Sequence, residues 1–193
     1  MTALSFRPIA RTDFPMLSNW LRLPHVARWW DDDACLDALE SDYGGCIDGS
    51  EPAEVFIVGQ GGADIGLIQR FRMGAYPDYL NELAPLLAVR PDECSIDYLI
   101  GPPEFLGKGL GTDMIATFSH MTLQGDPGSP SIVVPVHADN RASWRALERA
   151  GYLRAAQGEL TPDNPADDRR HVIYRLARGS SLSASKAMAT PTA

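Results

Sequence analysis

The sequence predicts an α/β (α+β) fold in which short strands alternate with amphipathic helices around one core. Runs rich in valine, isoleucine and aromatic residues alternate with longer segments whose apolar residues recur every three or four positions. Two strand-like runs, 53–60 and 63–73, are separated only by Gly61 and Gly62, a spacing typical of an antiparallel hairpin. A glycine-rich segment, 106–112, joins a further strand to a helix.

Each element can be assigned along the chain from its periodicity and its end signals. Strands are predicted at residues 4–10, 53–60, 63–73, 94–101, 131–136, 152–156 and 169–177. Helices are predicted from a cap at Thr12, from the acidic run 31–33 to a stop at Gly44 and Gly45, over 109–123, and from a cap at Asn140 to a stop at Gly151. Residues 74–93 contain one glycine and three prolines and are predicted to form a long irregular loop.

Length and composition favour one globular unit. The 193 residues are 45% apolar, which is enough for one sizeable core. We expect a single domain over 1–178 and a disordered tail of small and polar residues over 179–193. The opening residues lack the apolar core of a signal peptide, and no apolar run approaches the roughly 20 residues of a spanning helix. These features predict a soluble, cytoplasmic protein.

Charge and cysteine content argue against several classes of partner. Lys and Arg number 17 against 25 Asp and Glu, and the net charge of -8 repels nucleic acid and anionic membranes at long range. The acidic surface either attracts a polycationic substrate or serves solubility alone. Cys35, Cys46 and Cys94 form no CxxC pair, so we expect reduced structural thiols and no metal site.

The segment LGKGLGT, 106–112, has the composition of a phosphate-binding loop. Glycines let successive backbone N–H groups face an anion, the following helix adds its positive end, and Lys108 adds a charge. The segment matches neither GxxxxGK[ST] nor GxGxxG. A tight strand-to-helix connection is the alternative reading of the same glycines.

The order of the surrounding elements resembles the coenzyme A half of GNAT acyltransferases. Strand CSIDYLIG, the glycine loop, its helix, strand SIVVPV and the segment HADNRASWRALERAGY follow one another as in that family. The family's loop pattern, Q/R-x-x-G-x-G/A, falls on 106–111, with Leu106 in place of Gln or Arg. The opening FRPIARTDFPMLSNWLRLPHVARWW is similar to that of the aminoglycoside 6'-N-acetyltransferase branch. The resemblance covers residues 5–177.

This resemblance implies a GNAT fold with acetyl-CoA as cosubstrate. Its twisted mixed sheet is mostly antiparallel, is flanked by helices, and splays between the strands that hold Asp97 and Val133. Pantetheine would pair there with backbone groups as an added strand. The implied cofactor-binding residues are Leu99, Ile100, Leu106, Gly107, Lys108, Gly109, Leu110, Gly111, Thr112 and Asn140. For Asn140, a role as helix N-cap is an equally complete explanation.

Asp97 is the principal catalytic candidate. Acetyl transfer needs a neutral amine, and a nearby carboxylate can orient that amine and accept its proton. Asp97 stands in an apolar strand, where an unpaired charge is costly. In the aminoglycoside branch a matching SID or GID aspartate faces the substrate amine, which implies the same role here. The alternative is a structural aspartate that accepts loop N–H groups at a strand edge.

The proton donor to the leaving thiolate is less evident from the sequence. Many GNAT enzymes use a tyrosine in the last helix, and the resemblance places Leu147 at that position. Tyr152 and His137 are replacement candidates, with packing and a structural strand end as their alternatives. Strand alternation directs Tyr98 away from the face of Asp97. Water or direct release of the thiolate could serve instead.

Aromatic and acidic residues are candidates for substrate recognition, since both suit a polyamine or an aminosugar. The candidates, with Asp97, are Trp29, Trp30, Asp31 with the rest of the run 31–33, Tyr76, Asp78, Tyr79, Glu82 and Glu93. A helix-capping acidic run and a solvated loop are the alternative readings.

Together these features predict an acetyl-CoA-dependent N-acetyltransferase that acts on a primary amine of a polycationic small molecule. The resemblance implies an aminoglycoside 6'-N-acetyltransferase. A siderophore-biosynthesis lysine N-acyltransferase is the alternative enzyme, because it shares the opening and the glycine loop. A non-catalytic acyl-CoA-binding module is a third possibility, which Leu147 makes conceivable.

Overall fold

The computed structural model describes residues 3–162 and 164–180, which form one seven-stranded mixed sheet flanked by helices. The strands are β1 (Leu4–Pro8), β2 (Glu54–Gln60), β3 (Ala63–Arg72), β4 (Cys94–Ile100), β5 (Ser131–His137), β6 (Leu153–Glu159) and β7 (Arg170–Ala177). The helices are α1 (Phe14–Leu21), α2 (Pro24–Ala27), α3 (Leu36–Asp48), α4 (Pro77–Leu83), α5 (Leu110–Gly125) and α6 (Arg141–Arg149). The predicted fold class is confirmed.

The sheet has the order β1-β2-β3-β4-β5-β7-β6 and opens between β4 and β5. All other neighbours are antiparallel, whereas β4 and β5 are parallel and pair only at Cys94 and Ile132. Strand β5 pairs along its whole length with β7, from Ser131 to His137. It therefore follows β7 and diverges from β4 toward the carboxyl ends of both strands, as the resemblance implied.

Side chains of alternate residues in the central strands enter two separate cores. On one face, Ile96 of β4 packs in a core that includes Phe118 of α5 and Leu147 of α6. On the other face, Leu99 of β4 packs with residues of α1 and α3, including Leu39. The period of two in a strand produces this division. Helices thus cover both faces of β4 and leave its free edge at the opening in the sheet.

Two predicted helix boundaries near the amino terminus are wrong. Helix α3 does not stop at Gly44 and Gly45 but continues to Asp48 and ends at Gly49, whose φ of +74° suits glycine. It begins after the acidic run, where Cys35 Sγ accepts a hydrogen bond from the Ala38 N–H (3.4 Å). A glycine inside a helix costs only about 1 kcal/mol, which packing on β2 and α1 offsets.

The first helix also starts differently from the prediction. A 3-10 turn, Arg11–Asp13, precedes α1, and Thr12 makes no side-chain cap. The Asp13 carboxylate instead accepts a hydrogen bond from the Ala10 N–H (2.9 Å). Arg7 holds the same carboxylate with a 2.7 Å ion pair, so this aspartate joins β1 to the start of α1.

Residues 74–93 are more regular than the predicted loop. They contain the end of a 3-10 turn, Met73–Ala75, and the helix α4. Pro77 is the first residue of α4, a position where its missing N–H would have had no intrahelical partner. Proline therefore marked a helix start here.

In the described part of the chain, no helix combines the length and the apolarity that crossing a membrane requires. Most of the predicted tail, from residue 181 onward, lies outside the described residues.

Candidate active site

The opening between β4 and β5 contains a small cavity of about 80 Å³. Its walls come from both diverging strands, from the start of α6, and from the connection between β6 and β7. They include Ile96, Asp97, Tyr98, Val134, Pro135, Val136, His137, Asn140 and Ser143. We call this space the gap.

A larger cavity of about 640 Å³ adjoins the gap. The two spaces share Trp29, Asp97, Pro135 and His171, so they meet at these residues. We call the larger space the acceptor cavity. It is lined by Trp29, Trp30, Asp32, Ser41, Asp42, Tyr43, Cys46, Glu51, Ala53, Gln69, Phe71, Tyr76, Tyr79, Asp97, Pro135, Leu160, Thr161 and His171.

Asp97 lies at the junction of the two cavities. Its neighbour across the β3–β4 ladder is Gln69, whose side-chain Nε2 donates a hydrogen bond to Asp97 Oδ2 (2.9 Å). The amide orients the carboxylate without neutralising its charge, because a carboxamide carries none. A half-buried carboxylate in this position can bind an ammonium group or accept its proton.

The acceptor cavity combines carboxylates with aromatic faces. Its described lining has four carboxylates, from Asp32, Asp42, Glu51 and Asp97. Tyr43 links two parts of the wall, since its hydroxyl donates to Asp32 Oδ2 (3.4 Å). Burial, and then the charge of Asp33, raises the pKa of the Asp42 carboxyl. This cavity therefore has the chemistry that binds cations.

The structure brings together some of the predicted substrate-side residues and separates others. Trp29, Trp30, Tyr76, Tyr79 and Asp97 line the acceptor cavity. Asp32 of the run 31–33 lines it as well, whereas the other predicted acids line neither cavity: Asp31, Asp33, Asp78, Glu82 and Glu93. Closeness in sequence to Asp97 or to the tryptophans does not by itself place a side chain at the opening, and a substrate role for these five acids stays a prediction.

Two of the acids that line neither cavity, Glu82 and Glu93, have structural hydrogen-bond partners. Glu82 Oε1 accepts a hydrogen bond from the Thr161 N–H (2.5 Å). Glu93 is only 4% exposed and accepts from Ser131 Oγ and from the Arg90 N–H. Both connect segments distant in sequence.

The acidic wall that α3 and the segment after it provide was not predicted from the sequence. Asp42, Tyr43 and Cys46 belong to the part of α3 around and beyond the supposed glycine stop, and Glu51 follows the helix. The available signal was the spacing of four residues between Asp42 and Cys46, which places them on one helix face. Because the predicted helix stopped at Gly44 and Gly45, Cys46 lay outside it and its pairing with Asp42 on one helix face was not recognised.

The glycine loop has the geometry of an open anion cradle at the start of α5. Gly107 and Gly109 have φ values of +71° and +81°, and a Cβ added at Gly107, Gly109 or Gly111 would meet no atom within 4 Å. Gly109 is the N-cap, so the first N–H groups of α5 have no partner within the helix. Lys108 lies beside the cradle, with Nζ 5.8 Å from the Phe105 ring centre. These features fit a pyrophosphate.

The free edge of β4 leads from the gap toward this cradle. Beyond Cys94, the edge facing β5 has no strand partner within the described ladders. At its end, His25 Nε2 lies 3.0 Å from the carbonyl oxygens of both Ile100 and Gly101. Helix α2 thus already engages the Ile100 carbonyl, one of the groups expected to pair with pantetheine.

Asn140 combines a helix cap with a position at the gap, the two possibilities considered from the sequence. Its Oδ1 accepts a hydrogen bond from the Ser143 N–H (3.2 Å), so it caps α6. It also lines the gap. The cap leaves the side-chain amide N–H groups available for a ligand, and the two roles are compatible.

The candidate proton donors have distinct surroundings. Leu147 and Tyr152 are buried in the core, and the Tyr152 hydroxyl is hydrogen-bonded to Ser119 Oγ (2.7 Å). His137 lines the gap, where Nδ1 accepts from the Asp139 N–H and Nε2 lies 3.1 Å from the Asp168 carbonyl oxygen. Tyr152 is therefore a packing residue, and both nitrogens of His137 are engaged.

Comparison with known proteins identifies the family. Residues 10–160 match the acetyltransferase (GNAT) domain family. The chain belongs to the GNAT acetyltransferases. The sheet opening and the glycine cradle are thus parts of an acetyltransferase fold in this protein.

Relatives and solved structures in this family are similar over most of the chain. An aminoglycoside N(6')-acetyltransferase type 1 of Klebsiella pneumoniae is 28% identical over 169 residues, which cover 85% of this chain and 80% of that protein. The structure of AAC(6')-Ib with paromomycin and acetyl-CoA has a TM-score of 0.78 at 24% identity, with 96% and 99% of the two chains covered. An aminoglycoside N(6')-acetyltransferase from Legionella pneumophila has a TM-score of 0.67 at 17% identity, with 92% and 93% covered.

Proposed function

We propose that this protein transfers an acetyl group from acetyl-CoA to a primary amine of an aminoglycoside, at the 6' position. The observation that carries the proposal is the meeting of two spaces at Asp97: an acidic, aromatic cavity and the gap in the GNAT sheet. An amine held in the first space faces an acyl group held in the second. The similar enzymes that are named for this reaction support the same substrate class.

The residues of the chain have separate parts in this proposal. Acetyl-CoA supplies the acetyl group as a thioester. The N–H groups of 107–112 hold its pyrophosphate at the start of α5, and Asn140 offers an amide to the pantetheine arm. Asp97, oriented by Gln69, binds the amine and accepts its proton as the nitrogen attacks the carbonyl carbon.

The shape and charge of the acceptor cavity favour a rigid polycation. A cavity of about 640 Å³ is large enough for several sugar-sized groups. Four carboxylates can bind more than one ammonium group, and the rings of Trp29 and Trp30 suit cations and sugar faces. A lysine derivative presents one amine and would leave most of these acids without a partner.

A side-by-side assay tests the proposal. We would measure kcat/KM for kanamycin-type aminosugars, lysine derivatives and short amines, with acetyl-CoA and with longer acyl-CoA donors, and locate the modified nitrogen by NMR. We expect aminosugars with acetyl-CoA to be preferred and modified at the 6' nitrogen. Their apparent affinity should fall as salt rises, because each partly exposed ion pair adds only about 0.2 to 1 kcal/mol and is screened.

Other outcomes would identify other functions. A preference for lysine with a long acyl donor would move the assignment to the siderophore-type acyltransferases. Tight binding of acetyl-CoA without turnover of any amine would indicate the non-catalytic module. Aminosugar turnover that is indifferent to salt would contradict the role of the acidic wall.

A further inference from the structure

Two hydroxyl groups face each other inside the gap. Tyr98 OH and Ser143 Oγ are 2.7 Å apart and hydrogen-bonded, and both residues line the gap. Tyr98 comes from β4, directly after Asp97, and Ser143 comes from the first turn of α6, three residues after the Asn140 cap. The pair thus spans the space between the free edge of β4 and the start of α6.

Thioester chemistry creates a need for a hydrogen-bond donor in this region. When the amine displaces the thiol, the C–S bond breaks and its electron pair goes to sulfur. A donor placed near the sulfur lowers the energy of that charge most effectively in a site from which water is excluded. The two hydroxyls of the pair carry two protons, and their mutual hydrogen bond uses only one. The other O–H can therefore donate to a group in the gap.

The described surroundings favour this pair over the donors considered in the sequence analysis. Leu147 carries no donor and is fully buried in the core. The Tyr152 hydroxyl is bonded to Ser119 away from the gap. Both ring nitrogens of His137 already have partners, the Asp139 N–H and the Asp168 carbonyl oxygen.

We propose that Tyr98 donates the hydrogen bond that stabilises the leaving sulfur of acetyl-CoA, and that Ser143 is the positioning residue that orients its hydroxyl. The inference rests on the proposed acetyl transfer. The proton that finally reaches the sulfur is supplied by the ammonium group through Asp97 and solvent, so the step needs no further reactant. Tyr98 remains protonated throughout.

The electrostatic surroundings of Tyr98 agree with donation rather than ionisation. Burial, together with the charge of Asp97, raises the pKa of the Tyr98 phenol, while the hydrogen bond with Ser143 acts in the opposite direction. A phenol with a raised pKa keeps its proton at neutral pH. Its hydrogen bond to a thiolate is charge-assisted and lies in a region of low dielectric constant, where such bonds are strong.

Binding of coenzyme A tests this role without turnover. We would measure by calorimetry the affinities for CoA and for desulfo-CoA, which lacks the thiol, between about pH 7 and pH 9, near the ordinary thiol pKa of about 8.5. If Tyr98 stabilises the thiolate, the preference of the wild-type protein for CoA over desulfo-CoA increases as pH rises. In Tyr98→Phe that increase should be smaller by roughly tenfold, the usual effect of one hydrogen bond to a charged group.

Matched variants separate this role from packing. Tyr152→Phe removes a buried hydroxyl that is also bonded to a serine, but outside the gap, so its CoA preference should follow the wild type. Ser143→Ala keeps the helix and removes the partner, and should reduce the preference in the same direction but less. For Tyr98→Phe, kcat should also fall with little change in KM for acetyl-CoA.

The outcomes distinguish this inference from the proposed function. An unchanged pH-dependent preference in folded Tyr98→Phe would overturn the donor role while leaving acetyl transfer intact. If Tyr98→Phe fails to fold, the same result in Ser143→Ala would overturn it. Failure of the wild-type protein to bind CoA at all would refute the proposed function, and the donor role with it.

Discussion

Asp97 is a charged residue in a largely apolar strand, and it lies where the gap and the acceptor cavity meet. Its strand neighbours Ile96 and Leu99 enter the cores on opposite faces of the sheet, while Asp97 reaches the junction of the gap and the acceptor cavity. A carboxylate inside an apolar strand is costly unless it is hydrogen-bonded, and Gln69 supplies one such bond. A carboxylate can accept several hydrogen bonds at once, so binding of an amine is compatible with the bond from Gln69.

The first prediction concerns the charge of this residue. Asp97→Asn should lower kcat/KM by about 100- to 10,000-fold, because an amide cannot accept the amine proton, and should leave acetyl-CoA affinity unchanged. Steady-state kinetics and calorimetry measure the two effects. Asp37→Asn makes the same chemical change in the exposed first turn of α3 and should behave like the wild type. Wild-type kinetics in Asp97→Asn would remove the general-base role.

At the scale of elements, the connection from β4 to α5 is a cradle because its glycines adopt left-handed conformations. The φ values of Gly107 and Gly109 are positive, and the space beside the glycines at the start of α5 is open, since a Cβ added there meets no atom within 4 Å. Helix α5 runs for 16 residues behind them and contributes its positive end.

Gly109→Val should therefore weaken acetyl-CoA binding by at least about tenfold, since charge-assisted hydrogen bonds to the phosphates would be lost. The control is Gly61→Val in the β2–β3 hairpin, where φ is +59° and a Cβ likewise meets no atom within 4 Å. Both variants carry backbone strain of about 1 to 3 kcal/mol, and only the first should lose affinity. Equal affinity of the two folded variants for acetyl-CoA would exclude this loop as the cofactor site.

At the scale of the whole molecule, a buried ionic cluster fixes the closed end of the sheet opening. Glu93, just before β4, accepts a hydrogen bond from Ser131 of β5, and its carboxylate lies 3.3 Å from Arg175 Nε of β7. Three strands are thus joined next to the single pair that links β4 to β5, Cys94 and Ile132. Beyond this point the strands diverge.

Removing the carboxylate should destabilise the fold rather than alter substrate choice. Glu93→Ala leaves Arg175, which is 28% exposed, without its buried partner, and should lower the free energy of unfolding by about 2 to 4 kcal/mol. Urea denaturation measures the loss. Asp92→Ala, which removes the partner of the exposed Arg90 guanidinium, should leave the free energy of unfolding nearly unchanged. Similar losses in both variants would show that the Glu93 cluster does not hold the strands.

The sequence by itself determined the secondary-structure elements and the part of the site that resembles the coenzyme A half of GNAT enzymes, namely the glycine loop and Asp97. Periodicity and end signals predicted the alternation of strands and helices, and the glycines of 106–112 predicted a cradle. These features are local, because they depend on side-chain spacing and backbone freedom within a few residues. Asp97 was identified in the same way, as a charge inside an apolar strand joined to a recognisable motif.

Only the tertiary structure decided which side chains share the site. Cys46 and Glu51 reach the acceptor cavity because α3 continues through its glycines to Asp48, and Tyr98 meets Ser143 across 45 positions of sequence. Glu93, expected at the substrate opening, is instead a buried link between strands. These contacts depend on how elements distant in sequence pack together. The periodicities of helices and strands specify the direction in which a side chain points, but not the residue that it contacts.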